Sequence, residues 1–278
     1  MDPRGFEPLT YRLPVCRAPN CATGPRHAGL RSHLRIPPAS DHLRCSGYDL
    51  ARVEEVQTRD VGAGEIKGGG YLALPDGVGP HPGVVVIHEA DGLNDNIKDI
   101  AQRLAGAGYV ALAVDLFAAR IRAVCMTRYM TGLLTGSVNR YGIDDLKGAL
   151  TYMAKMREVD AQRMGAIGFC MGGGFAIAWA CTDSRLKAIA PFYATNPRPL
   201  EVVKRLCPVV GSYPEQDFTG RSGRALDAEL TRDGIAHDIK IYPGARHSFF
   251  NDRGRSFNAE AAADAWQRVL SFFGEQLT

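Results

Sequence analysis

A chain of 278 residues, 45% of them hydrophobic, can bury a sizeable core, either as one large domain with a tail or as two small domains. Thirty-three basic residues against thirty acidic ones leave a formal net charge of +3, which gives no general reason to expect nucleic acid or an anionic membrane as a partner. No run of about 18 apolar residues occurs, so no membrane span is expected.

The first ten residues lack the apolar centre of a secretory leader; Pro3, Arg4, Glu7 and Pro8 interrupt them. The seven cysteines are scattered. Cys16 and Cys21 have no second pair at metal-ligand spacing, so no metal is expected there. Without an export signal, reduced thiols in the cytoplasm are the expected state. Nothing in the sequence speaks to the oligomeric state.

In chain order, residues 1–47 are rich in Arg and Pro and contain no Lys. Pro3, Pro8, Pro14, Pro19, Pro25, Pro37 and Pro38 break any period of 2 or 3.6 residues, so this stretch reads as a disordered or poorly packed tail. From Val53 to the C-terminus short apolar runs alternate with amphipathic ones, and 53–278 reads as one domain. Gly70–Pro75 and Gly83–His88 (GVVVIH) are predicted strands; the second is apolar at consecutive positions, as a strand covered on both faces should be. Asn94–Ala107 is a predicted helix, with Ile97, Ile100, Ala101, Leu104 and Ala105 along one face. Tyr109–Asp115 is a strand and Gly142–Met156 a helix. Met164–Phe169, Lys187–Tyr193, Pro208–Tyr213 and His237–Tyr242 complete the strands, and a last helix carries Trp266, Val269, Leu270 and Phe273. Strands alternating with helices predict an α/β fold: a mostly parallel twisted sheet with helices on both faces.

Parallel sheets place their sites at the carboxyl ends of the strands. The residues to inspect are therefore Glu89, Asp115, Cys170, Tyr193, Asp217 and His247. Gly168-Phe169-Cys170-Met171-Gly172 joins a strand to the apolar helix FAIAWA. It reads as the strand-turn-helix elbow of a nucleophile, with cysteine where serine is usual. The helix N-terminus favours a thiolate at Cys170, and the Met171 N–H can donate to an oxyanion. Cys125, Cys181 and Cys207 have no such context and read as small, packed residues. After Cys170 only His237 and His247 remain; His247 follows its strand through a short loop, whereas His237 begins that strand at the opposite edge. His247 is the expected base. Glu215 and Asp217 both qualify as its acid, and Asp217 is preferred for its distance beyond the strand.

Further matches extend along the chain: HEADGLND at His88–Asp95, VDLF at Val114–Phe117, GFCMGGGFA at Gly168–Ala176, EQD at Glu215–Asp217 and YPGARHSFFND at Tyr242–Asp252. Together they resemble the dienelactone hydrolase (carboxymethylenebutenolidase) family of the α/β-hydrolase superfamily. The resemblance implies a Cys170, Asp217 and His247 triad that hydrolyses a small-molecule ester or lactone without a cofactor. It also implies that Glu89 contacts the resting thiol and helps deprotonate it as substrate arrives, and that the Ala90 amide is the second oxyanion donor. The family's arginine four residues after the histidine is here Asn251; Arg253 is nearby, Arg128 lies in the other arginine-bearing region, and Tyr193 ends a strand at the same edge, so these three are the substrate-binding candidates. The rival functions are a broader carboxylesterase or thioesterase with the same triad, and a non-catalytic binding protein on the same fold.

Overall fold

The computed structural model describes the backbone of residues 52–56, and residues 69–118 and 121–278 in full. The tail read at 1–47, with Cys16 and Cys21, lies outside the described residues. The strands are β1 (Arg52–Val56), β2 (Gly69–Leu74), β3 (His81–Ile87), β4 (Val110–Asp115), β5 (Val159–Phe169), β6 (Leu186–Phe192), β7 (Val209–Pro214) and β8 (His237–Tyr242). The helices are α1 (Asp95–Gly106), α2 (Arg122–Thr135), α3 (Ile143–Met153), α4 (Met171–Ala180), α5 (Thr219–Asp233) and α6 (Ala259–Gln276), with a 3-10 turn at Leu200–Arg205. One sheet runs in the order β1-β2-β4-β3-β5-β6-β7-β8. β2 pairs antiparallel with β1 and β4, and the remaining pairings are parallel. No helix among the described residues is long and apolar enough to cross a membrane.

The consecutive apolar run of β3 is explained by two cores. Val85 and Ile87 face the side covered by α2 to α5, while Val84 and Val86 face the side covered by α1 and α6. α1 begins where Asn94 accepts a 3.1 Å hydrogen bond from the Ile97 N–H. It gives way to Gly108, whose φ of 92° only glycine adopts cheaply.

Two elements differ from the expectation. β1 (RVEEV) is a short edge strand whose charged residues hide a strand pattern. α2 lies where the sequence shows no helical period: only Cys125, Tyr129 and Gly132 are buried on it, while Ile121, at its N-cap, Val124 and Leu134 stand in solvent. Its apolar residues therefore form no single stripe.

Candidate active site

The parallel strands deliver their following residues to one edge: Glu89 after β3, Cys170 after β5, Tyr193 after β6, Asp217 after β7 and His247 after β8. The β5–α4 turn is tight because two chains pass with no room for side chains. A Cβ on Gly168 would lie 2.2 Å from the Gly172 carbonyl oxygen, and one on Gly172 would lie 2.3 Å from that of Ile87. Cys170 takes up the turn at φ 53°, and its N–H donates to the Phe192 carbonyl at 3.0 Å. Among the described residues the non-glycine positive φ values belong to Cys170, Tyr193 and Ser248, all in this site. Such conformations cost about 1–3 kcal/mol each and persist where surrounding structure imposes them.

Asp217, not Glu215, meets His247: its Oδ2 takes a short hydrogen bond from Nδ1. Glu215 instead accepts a 3.4 Å contact from the Gly244 N–H. Burial alone would raise the Asp217 pKa. Hydrogen bonds from His247 and from Thr219, whose hydroxyl lies at 2.8 Å, outweigh it and hold the carboxyl below its usual range. An ionised Asp217 keeps the imidazole proton on Nδ1 and leaves the Nε2 lone pair available.

Glu89 is buried. Its Oε1 accepts from the Tyr193 hydroxyl at 2.6 Å and its Oε2 from the Ser248 hydroxyl at 3.3 Å. Burial raises its pKa, against the opposing pull of those two hydrogen bonds and of His247. The Cys170 thiol is pushed up to about 11, first by burial and then by the Glu89 carboxylate, while a hydrogen bond from the Met171 N–H pulls the other way. The Cys170 sulfur therefore rests as a thiol, with the Glu89 carboxylate near enough to act on its ionisation.

His88, fully buried, organises the Ala90 amide. Its Nε2 accepts from the Leu116 N–H at 3.1 Å, so Nδ1 carries the proton and donates to the Glu89 carbonyl at 2.6 Å. Burial also lowers its pKa, which keeps the ring neutral. The Gly92 N–H donates to the same carbonyl at 3.1 Å. In a trans peptide the N–H points opposite the C=O, so anchoring the Glu89 carbonyl directs the Ala90 N–H away from these partners. Arg122 secures the far side, donating to the Ala90 carbonyl at 3.0 Å.

A cavity of about 600 Å³ opens over Cys170, Met171 and His247. Its wall comes from Met130, Leu133 and Leu134 of α2, from Thr195 to Arg198, and from Leu200, Phe218, Thr219 and Ser222.

The predicted substrate arginines do not line it. Arg128 is exposed with its guanidinium 5.0 Å from the centre of the Tyr141 ring, and Arg253 is paired with Asp95 at 2.8 Å. The arginine in the cavity wall is Arg198, which sequence reasoning missed because nothing local marks its Pro-Arg-Pro setting. Tyr193 is among the cavity's lining residues and its ring lies 5.0 Å from that of His247, but its hydroxyl is committed to Glu89. Ser248, directly after the histidine, was also missed. Among the described residues no three His, Cys, Asp or Glu side chains are grouped to hold a metal ion.

Residues 69–277 match the dienelactone hydrolase family. The chain belongs to that family. A relative from Saccharolobus solfataricus, provisionally named a carboxymethylenebutenolidase, is 36% identical over 73% of this chain and 91% of its own. Another of the same provisional name, from Synechocystis, is 31% identical over 75% of this chain and 92% of its own. Among solved structures, a dienelactone hydrolase-like promiscuous phosphotriesterase from metagenomic libraries superposes with a TM-score of 0.70 at 26% identity, covering 83% of this chain and 100% of that one. As a dienelactone hydrolase family member on an α/β-hydrolase fold, the protein is a hydrolase.

Proposed function

We propose that this dienelactone hydrolase-family protein cleaves an ester or lactone of a small molecule by acyl transfer through Cys170. The observation that carries the reading is the placement of Cys170 at positive φ between β5 and α4, in a cavity it shares with an Asp217-held His247. The substrate carbonyl oxygen rests on the N–H groups of Met171 and Ala90. As it settles, Glu89 takes the thiol proton, and the thiolate sulfur bonds to the carbonyl carbon. The tetrahedral adduct collapses, the C–O bond breaks, and the proton that Glu89 took passes through His247 to the departing alkoxide. His247 Nε2 then removes a proton from water, and the hydroxide attacks the thioester. The acid leaves, and the imidazolium returns its proton to the sulfur. Neither step draws on a metal or organic cofactor.

Arg198 is the cation this reading offers to an anionic substituent of the substrate. Four cysteines among the described residues, Cys125, Cys170, Cys181 and Cys207, are free thiols, which supports a reducing compartment such as the cytoplasm.

Cys170→Ala tests the assignment. Hydrolysis of a p-nitrophenyl ester or an enol lactone should fall by about 10³-fold or more, with the far-UV circular dichroism unchanged. Iodoacetamide should inactivate the wild type, with protection by substrate. Full activity in Cys170→Ala, or inactivation traced to alkylation of Cys181, would overturn it.

A further inference from the structure

The cavity wall contributed by α2 is apolar where a small polar lactone would need hydrogen bonds. Leu134 is 77% exposed and Phe218, next to α5, is 67% exposed, so two large apolar side chains stand in water at the rim of a hydrolytic cavity. Single exposed apolar residues are ordinary, but these border the same cavity as Cys170 and His247. Met130 and Leu133 continue the surface inward.

The wall is held from behind. A Cβ on Gly132 would lie 2.8 Å from Arg140, one on Gly136 would lie 2.7 Å from Arg198, and Leu133 reaches within 2.9 Å of where a Cβ on Gly174 would be. α2 therefore fits closely against its neighbours at three points and presents a formed surface. The polar side chains of α2 are engaged away from the cavity: Thr127, Thr131 and Thr135 return their hydroxyls to carbonyls of their own helix at 3.0, 2.8 and 3.0 Å, Arg122 donates to the Ala90 carbonyl, and Arg128 lies over the Tyr141 ring. A volume of about 600 Å³ suits a ligand well above the size of a small lactone.

We propose that the substrate's acyl group is an apolar chain or ring, on the order of six carbons or more, lying along α2 between Leu134 and Phe218. The inference rests on the acyl-transfer reading above and names its substrate class. The ester carbonyl sits at Cys170, and the acyl arm removes the α2 wall from water. Met130, Leu133, Leu134 and Phe218 are then the specificity-determining residues.

The test has two arms that fail separately. In the first, kcat/KM is measured on p-nitrophenyl esters with acyl chains of two to ten carbons. Each buried methylene should raise it about fourfold until the cavity is filled, a total gain on the order of 10²-fold. Leu134→Asp should lower the ratio of the octanoate to the acetate value by about tenfold. In the second arm, N-methyl- to N-octylmaleimide alkylate Cys170 without any hydrolytic step, and the inactivation rate should rise with chain length in the same way. A maleimide series that rises while no ester is hydrolysed would keep the apolar arm site and refute the acyl-transfer reading. Ester hydrolysis that depends on Cys170 but is flat in chain length, with a flat maleimide series, would refute this inference alone and give the wall to another occupant, such as a second copy of the chain.

Discussion

Replacing Glu89 with glutamine separates the two effects its carboxylate has on Cys170. In the resting enzyme the negative charge, after burial, helps push the thiol up to about 11. Four pH units below that value only about one thiol in 10⁴ is ionised, since each unit is a factor of ten. If Glu89 takes the thiol proton during attack, the wild type escapes this penalty and the amide variant does not. General-base assistance is typically worth about 10²–10⁴-fold, so kcat/KM at pH 7 should fall by that much. The variant must then draw its thiolate from hydroxide. Its rate should climb about tenfold per pH unit, and the gap to wild type should narrow across pH 6 to 9.5. Alkylation of the free enzyme by iodoacetamide should move the other way: removing the carboxylate lowers the thiol pKa, so Glu89→Gln should react faster than wild type while hydrolysing more slowly. The protein's stability carries a third signature. Burial raises the Glu89 pKa in the fold, so its contribution is fully present below the unfolded value of about 4.3 and is lost as pH rises through the folded value. Glu89→Gln should therefore flatten the fall in Tm on going from pH 4.5 to 7. Rate profiles with an ester substrate, timed alkylation and thermal melts on both proteins decide the matter. A small, pH-independent loss of activity with unchanged alkylation would refute the role of Glu89 as base.

Arg198→Ala should raise KM for carboxylate-bearing esters about tenfold more than for neutral ones, as expected for loss of a hydrogen bond to a charged group; Arg253→Ala, whose guanidinium is spent on Asp95, should not. An equal effect of both variants in steady-state assays would remove Arg198 from substrate binding. Gly172→Ala places a methyl 2.3 Å from the Ile87 carbonyl oxygen and should destabilise the protein by about 3 kcal/mol or more, read from denaturant midpoints; a near-neutral change would show that the elbow has slack. A chain beginning at Gly47 should keep its activity and its Tm, because the proline spacing of residues 1–47 leaves no apolar period to pack. A fall in Tm beyond about 4–8 °C, on the order of 1 kcal/mol, would show that the segment docks.

What the sequence determined by itself is what local chemistry encodes. Consecutive apolar residues in GVVVIH, the helical spacing from Ile97 to Ala105, and the glycines flanking Cys170 are short-range patterns, and each appears in the fold where its pattern places it. The chain order of cysteine, acid and histidine is likewise readable without coordinates. The tertiary structure decided whatever depends on direction across the sheet. Glu215 and Asp217 are two residues apart, and only the turn after β7 sends one of them to His247. Arg198 reaches the cavity while Arg128 lies over Tyr141, because the path of α2 and of the loop after β6 is set by packing. The Cys170 thiol would be placed near 8.5 from its type alone. Its rise to about 11 sums desolvation and charge from residues dozens of positions away, a quantity that exists only once those segments surround the sulfur.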